Sequence, residues 1–197
     1  SSGNLHPTEG YVFVSALSQL TLEPGLYHYA PQEHGLEHRW ALPPELAQSM
    51  LQGIPSEGFL VGLTSIHWRE AWKYGERAFR YCQHDTGHAI GTMRIAAATL
   101  GWNLLMLSGT TDETIAGFLG LTRRQDFQQA EPEYPELLAA VWPANFHPSP
   151  TLNLAFPDPD PTVLSSGEWK GTANRLSKDE PVLWDIIDTV SEASWKS

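Results

Sequence analysis

Over the first 142 residues the apolar positions change period several times, and each change marks an element. Tyr11, Val12, Phe13 and Val14 form a continuous apolar run within Gly10 to Leu17, the pattern of a short buried strand. Pro24-Gly25 signals a turn. Leu26 to Ala30 and Leu36 to Trp40 flank Pro31-Gln32-Glu33-His34-Gly35, which predicts a β-hairpin with a five-residue loop. Pro43-Pro44 opens a helix at its favoured first positions, running to about Gln52. Phe59 to Ile66 is a second apolar strand. His67 to Tyr74 predicts a short helix and Arg80 to Leu100 a long one that stops at Gly101. Inside the long helix, Ile90, Met93, Ala97 and Leu100 keep the three-or-four spacing of a core-facing stripe. Asn103 to Leu107 predicts a strand, Asp112 the cap of a helix carrying Ile115, Phe118 and Leu119, and Leu137 to Trp142 a last strand.

From Pro143 the pattern breaks. Pro148, Pro150, Pro157, Pro159 and Pro161 crowd together with Asp, Ser and Thr, so 143–176 is expected as an extended arm outside the core. Ser177 to Ser194 then predicts an amphipathic helix, with Leu183, Ile186, Ile187 and Val190 on one face, within a terminal unit 177–197. A helix placed after such an arm is expected to lead into, or pack on, a second domain or chain. The organisation is therefore one domain over 1–142, an arm and a terminal helix.

Composition narrows the function. A chain of 197 residues with 41% apolar residues, eight Trp and 18% charged residues has the makings of a packed core. Twelve Lys and Arg against 23 Asp and Glu give a net charge of −11, which argues against a nucleic-acid partner. No apolar run approaches the roughly 18 residues of a membrane span, and no basic-then-apolar export signal opens the chain. The expected setting is the cytoplasm. A lone cysteine, Cys82, supports neither a disulfide framework nor a multi-Cys zinc site.

Four places carry possible chemistry. Ser2, Gly3, Asn4 and His6 offer hydroxyl, amide and N–H donors at a sheet end, where ligands often sit; the same residues also suit a plain polar turn. Lys73 beside Tyr74 can move a proton or steady an anion, or Lys73 can be an exposed partner of Glu70 one turn earlier. Ser108, Gly109, Thr110 and Thr111 join a strand to a helix, pointing N–H groups at an electron-rich ligand or simply starting the helix. His84 and His88 share a helix face, but Asp85 stands where a zinc protease needs Glu and no third ligand follows. Structural histidines are expected there, with no metal. Gly87 and Gly91, also four apart, suggest a close helix crossing. GxSxG, Walker and GxGxxG patterns are all missing, which disfavours those hydrolase, phosphate-loop and dinucleotide classes.

The order of these segments is more telling than any one of them. Ser-Gly-Asn-Leu-His-Pro-Thr-Glu (2–9), Pro-Gly-Leu-Tyr-His-Tyr (24–29), Trp-Lys-Tyr-Gly-Glu-Arg-Ala-Phe-Arg-Tyr (72–81), Gly-His (87–88) and Ala-Ala-Ala-Thr-Leu-Gly-Trp (96–102) follow one another. This resembles the flavin-dependent nitroreductase superfamily, more narrowly the branch of dehydrogenases that oxidise thiazolines and oxazolines in modified peptides. The resemblance implies an α+β three-layer sandwich with a mostly antiparallel sheet, and FMN held where two such domains meet, in a homodimer or a tandem pair. It implies that Ser2, Gly3, Asn4, Leu5 and His6 lie along the flavin and that Ser108, Gly109, Thr110 and Thr111 lie near its ring edge. It further implies that Lys73 and Tyr74 remove a proton from a small or peptide-borne substrate while hydride passes to the flavin. The family's Arg-rich opening helix, a large part of the phosphate grip, has no counterpart after Ser1, and Arg123, Arg124 and Arg175 match no known substitute for it. This stretch is thus expected to hold FMN weakly, or only with a partner. Two other readings stay open: a catalytically silent partner domain of the same fold, and a metal-dependent hydrolase built on His84 and His88.

Overall fold

The computed structural model describes all residues except 1, 16, 18–20, 56, 129, 148–155, 157–159, 166, 174 and 176–182. Its strands are β1 (Thr8–Val14), β2 (Gly25–Ala30), β3 (Gly35–Ala41), β4 (Phe59–Ser65), β5 (Trp102–Met106), β6 (Tyr134–Pro143) and β7 (Glu168–Trp169). The helices are α1 (Pro44–Met50), α2 (Trp68–Tyr74), α3 (Ala78–Thr99), α4 (Asp112–Phe118), α5 (Pro161–Ser165) and α6 (Asp185–Ala193). Among the described residues the strands form one sheet in the order β5-β6-β4-β1-β2-β3-β7, and every neighbouring pair is antiparallel.

The central strands β4 and β6 are apolar on both faces because helices cover both sides. On one face Phe13, Leu26, Trp40, Leu60 and Leu138 pack with Ala47 of α1 and Ile115 and Phe118 of α4. On the other, Leu63, Leu137 and Ala139 meet Ala89, Ile90 and Met93, the inward stripe of α3. The result is the α+β sandwich expected from the sequence: helices, a mostly antiparallel sheet, helices.

The structure departs from the sequence expectations at several points. The hairpin loop is four residues, 31–34, because Gly35 already pairs with Ala30, and Leu100, the last member of the expected core-facing stripe, is exposed. Thr111 caps α4, not Asp112: its Oγ1 accepts the Thr114 N–H at 3.1 Å, and Asp112 is the first helical residue. An aspartate in the first turn suits the helix dipole equally well, so composition cannot separate the two positions. The stretch 143–176, expected to lie outside the core, contributes to it at Phe156 and, partly buried, at Phe146, Val163, Leu164 and Trp169. Phe156 is buried against Phe118 with ring centroids 4.7 Å apart, and β7 adds a short strand to β3 while Trp169 stacks on Trp40 at 4.7 Å. Prolines fix extended backbone, but two aromatic side chains decide where that backbone goes. Finally, α6 packs on this same domain: Ile187 is buried with Ala71 and Ala78. Of the helix expected from Ser177, residues 177–182 lie outside the described residues, while Leu183 and Trp184 precede the helix, which starts at Asp185; Leu183, expected on its apolar face, is exposed.

Candidate functional site

Strand pairing builds the first half of the site. β1 and β4 run antiparallel with Thr8 opposite Ser65, and the Ile66 N–H donates to the Pro7 carbonyl at 2.7 Å. The chain entering β1 is therefore held beside the chain leaving β4, which becomes α2. The entering segment is a 3-10 turn, Ser2–Asn4, followed by Leu5, His6 and Pro7. Gly3, Asn4 and His6 have φ of +71°, +61° and +50°, a left-handed geometry that side chains disfavour. The loop also comes close to two side-chain ends here: a Cβ at Gly3 would lie 2.6 Å from Lys73 Nζ and 2.9 Å from the Tyr74 hydroxyl. Two segments about 70 residues apart in sequence thus meet at one point.

Lys73 is exposed, with Nζ 5.2 Å from the Tyr74 ring centroid, and Tyr74 rests on Tyr81 of α3 at 4.7 Å. The surface pair of Lys73 with Glu70 suggested by spacing does not form. Glu70 has 0% exposure, and neither carboxylate oxygen has a hydrogen-bond partner among the described residues. Burial, reinforced by the neighbouring Asp85 carboxylate and opposed by Lys73, pushes its pKa up to about 7. Beside this point a groove of about 730 Å³ is lined by Asn4, Leu5, His6, Trp68, Arg69 and Trp72 among others.

A buried polar chain that sequence reasoning missed lies under the loop. Arg69 of α2 donates from Nη1 to the His6 carbonyl at 2.8 Å and pairs with Glu9. Glu9 also meets His28 Nε2 at 2.7 Å, and His28 Nδ1 meets Glu37 at 3.0 Å. Burial works to raise the Glu9 carboxyl, but His28 and Arg69 outweigh it and hold it below its usual value. Nearby, Glu133 accepts from Tyr11 at 2.8 Å and from Thr64, and burial raises its pKa. The signal was Glu9 itself, a charged residue at the same strand parity as the inward Tyr11 and Phe13.

The second candidate group sits elsewhere. Thr110 is buried, and its Oγ1 accepts the Phe156 N–H at 2.8 Å. Ser108 and Gly109 are exposed, but Lys196 Nζ donates to the Ser108 carbonyl at 2.6 Å. The Asp112 N–H donates to the Lys196 carbonyl at 2.9 Å, and the Lys196 N–H returns a bond to Asp112 Oδ2 at 2.8 Å. Among the described residues no hydrogen bond, ion pair or ring contact links this turn to loop 2–6 or to Lys73 and Tyr74. The segment 184–197 lies along both places. Trp184 abuts Gly75 just after Tyr74, Asp188 accepts from Tyr134 at 2.9 Å, and Ser191 meets His67 at 3.3 Å. The stacked, buried His67 is driven down to about 4 by desolvation.

His84 and His88 are exposed on α3, engaged at 3.5 Å with Arg80 and Asp85 respectively. Among the described residues no group of three His, Cys, Asp or Glu is placed to share a metal ion. No described helix crosses α3 at Gly87 or Gly91; among the described residues the space a Cβ would take is open at both. No described helix is long and apolar enough to cross a membrane.

Residues 1–130 match the model of the nitroreductase family. A curated protein of Methanocaldococcus jannaschii bearing the nitroreductase name is 24% identical over 147 residues, covering 72% of this chain and 67% of that one. Among solved structures, one from Anabaena variabilis assigned to the nitroreductases superimposes with a TM-score of 0.67 at 21% identity, covering 100% of this chain but 37% of its own. A chain of the Escherichia coli microcin synthetase McbBCD complex, solved with truncated pro-MccB17 bound, gives 0.57 at 20% identity over 72% of this chain and 53% of its own. The chain therefore spans between about a third and a half of the solved proteins it resembles.

Proposed function

Because this chain belongs to the nitroreductase family, we propose that it forms one half of an FMN-dependent oxidoreductase site, in the manner of the azoline-oxidising branch. The observation that carries this reading is the contact of Gly3 with Lys73 and Tyr74, which gathers a donor-rich loop and a proton-handling pair at one point. Bound FMN supplies a two-electron acceptor for hydride.

The donor set suits the ring half of that cofactor. Asn4, His6 and the backbone N–H groups of the loop present hydrogen-bond donors beside Lys73. The phosphate half is less well served, since Arg69, the cation under the loop, is committed to Glu9 and the His6 carbonyl. A second copy or domain is expected to supply the missing grip. Loop 2–6 would orient the ring, Trp68 and Trp72 would line the approach for a small or peptide-borne substrate, and Lys73 Nζ and Tyr74 Oη would take up the substrate proton. The exposed face of α3 supports pairing, because Gly87, Gly91 and the 68% exposed Ile95 follow one another at four-residue spacing.

A titration of FMN followed by flavin fluorescence tests the reading. Saturable binding is expected, lost in Gly3→Val; Lys73→Met and Tyr74→Phe should keep binding but slow flavin reduction by roughly a hundredfold or more. Protein that never saturates with FMN overturns it. A second reading, a silent partner domain, draws on the bonds that Lys196 already makes to Ser108 and Asp112. It expects the Lys73 and Tyr74 variants to leave turnover of the full assembly unchanged.

A further inference from the structure

The geometry points to Arg69 as a positioning residue: it ties loop 2–6 to α2, and so keeps Gly3 seated on Lys73 and Tyr74. The inference rests on the functional reading above for its consequence, but not for its structural content. Loop 2–6 has little reason to hold its shape alone. Three of its residues, Gly3, Asn4 and His6, carry left-handed φ, a geometry uncommon in non-glycine residues even though asparagine and histidine adopt it more readily than most. Such conformations persist only where surrounding contacts over-determine them.

The contact that does so here is a guanidinium. Arg69 is 8% exposed, and its Nη1 serves the His6 carbonyl at 2.8 Å and the Glu9 carboxylate together. One nitrogen therefore joins the last strained residue of the loop, the start of β1 and the helix that bears Lys73 one turn further on. Glu9 is in turn held by His28, and His28 by Glu37, at 2.7 and 3.0 Å. The anchor runs from β3 through β2 and β1 to α2 before it reaches the loop. A lysine could keep the charge on Glu9, but its shorter, flexible stem does not hold one nitrogen against both oxygens in fixed geometry.

Deuterium exchange without any cofactor tests this directly, using Arg69→Lys, Arg69→Met and the double variant Arg69→Met/Glu9→Gln. The double variant guards against loss of folding, because it leaves no unpaired buried carboxylate behind. Amides of residues 3–6 are expected to exchange about ten- to a hundredfold faster in both Met variants, and by less in Arg69→Lys, while β4 and β6 keep their wild-type rates. Loop and sheet accelerating together would reduce Arg69 to a general stabiliser and overturn the inference, as would a loop unchanged in the double variant. A parallel FMN titration separates the two ideas. Faster loop exchange with weaker FMN binding supports both. The same exchange in a protein that never binds FMN keeps the anchor and removes the flavin reading.

Discussion

Glu70 has the chemistry least visible in its sequence context. Glutamate three residues before lysine on a short helix looks like a solvated pair, and its pattern carried no sign that α3 would close over it. The carboxyl is instead fully covered, without a hydrogen-bond partner among the described residues, and its pKa is raised from 4.5 to about 7. The consequence for stability has a definite sign. Between those values the folded protein keeps a proton that the unfolded chain has released, so stability falls as pH rises through about 7. Glu70→Gln has nearly the same shape and never ionises. In urea unfolding it should match the wild type near about pH 5 and exceed it near about pH 8. An offset that is constant with pH would mean that Glu70 does not titrate in this range. Lys73, by contrast, was legible as chemistry because it came next to Tyr74 in a recognisable segment, and its contact with Gly3 needed the fold.

At the level of elements, what the sequence disclosed was what periodicity encodes. The apolar runs at 11–14 and 59–66 and the three-or-four stripe of α3 appear as β1, β4 and the helix that covers them. Elements defined by a few anchoring contacts were hidden. Phe156 and Trp169 stand in a proline- and acid-rich stretch whose composition matches an arm, yet Phe156 is 7% exposed beside Phe118, and Trp169 donates to the Leu164 carbonyl at 3.0 Å and stacks on Trp40. Phe156→Ala separates the two views. If the stretch is part of the core, the substitution should cost about 3 kcal/mol in urea unfolding; an arm outside the core would cost less than about 0.5 kcal/mol. The denaturant slope should stay unchanged, since the loss comes from a cavity and not from a changed extent of unfolding.

For the whole molecule, the order of motifs along the chain disclosed the family, and the fold sets loop 2–6 against Lys73 and Tyr74. The turn at Ser108 to Thr111 stays apart from it, held by Phe156 and Lys196, and a single chain's periodicity has no means of saying which pieces meet across a seam. A seam between copies, if α3 forms one, has a candidate trace in the sequence. Glycine within a helix costs about 1 kcal/mol relative to alanine, and α3 carries it twice, at Gly87 and Gly91, where nothing among the described residues approaches. Ile95 extends that surface at 68% exposure. A helix that accepts two glycines and leaves a large apolar side chain in water gains from both if a second copy packs there. Gly91→Leu turns this into a decisive measurement, because its effects on the lone chain and on the pair have opposite signs. Within the chain it meets open space and improves helix propensity, so thermal stability at low concentration should hold or rise. Across the pair it blocks close approach, so sedimentation should fall from twice the 21.9 kDa chain mass to one. A variant that stays paired, or a wild-type chain that never pairs, would place the seam on another face and leave the glycines of α3 without this explanation.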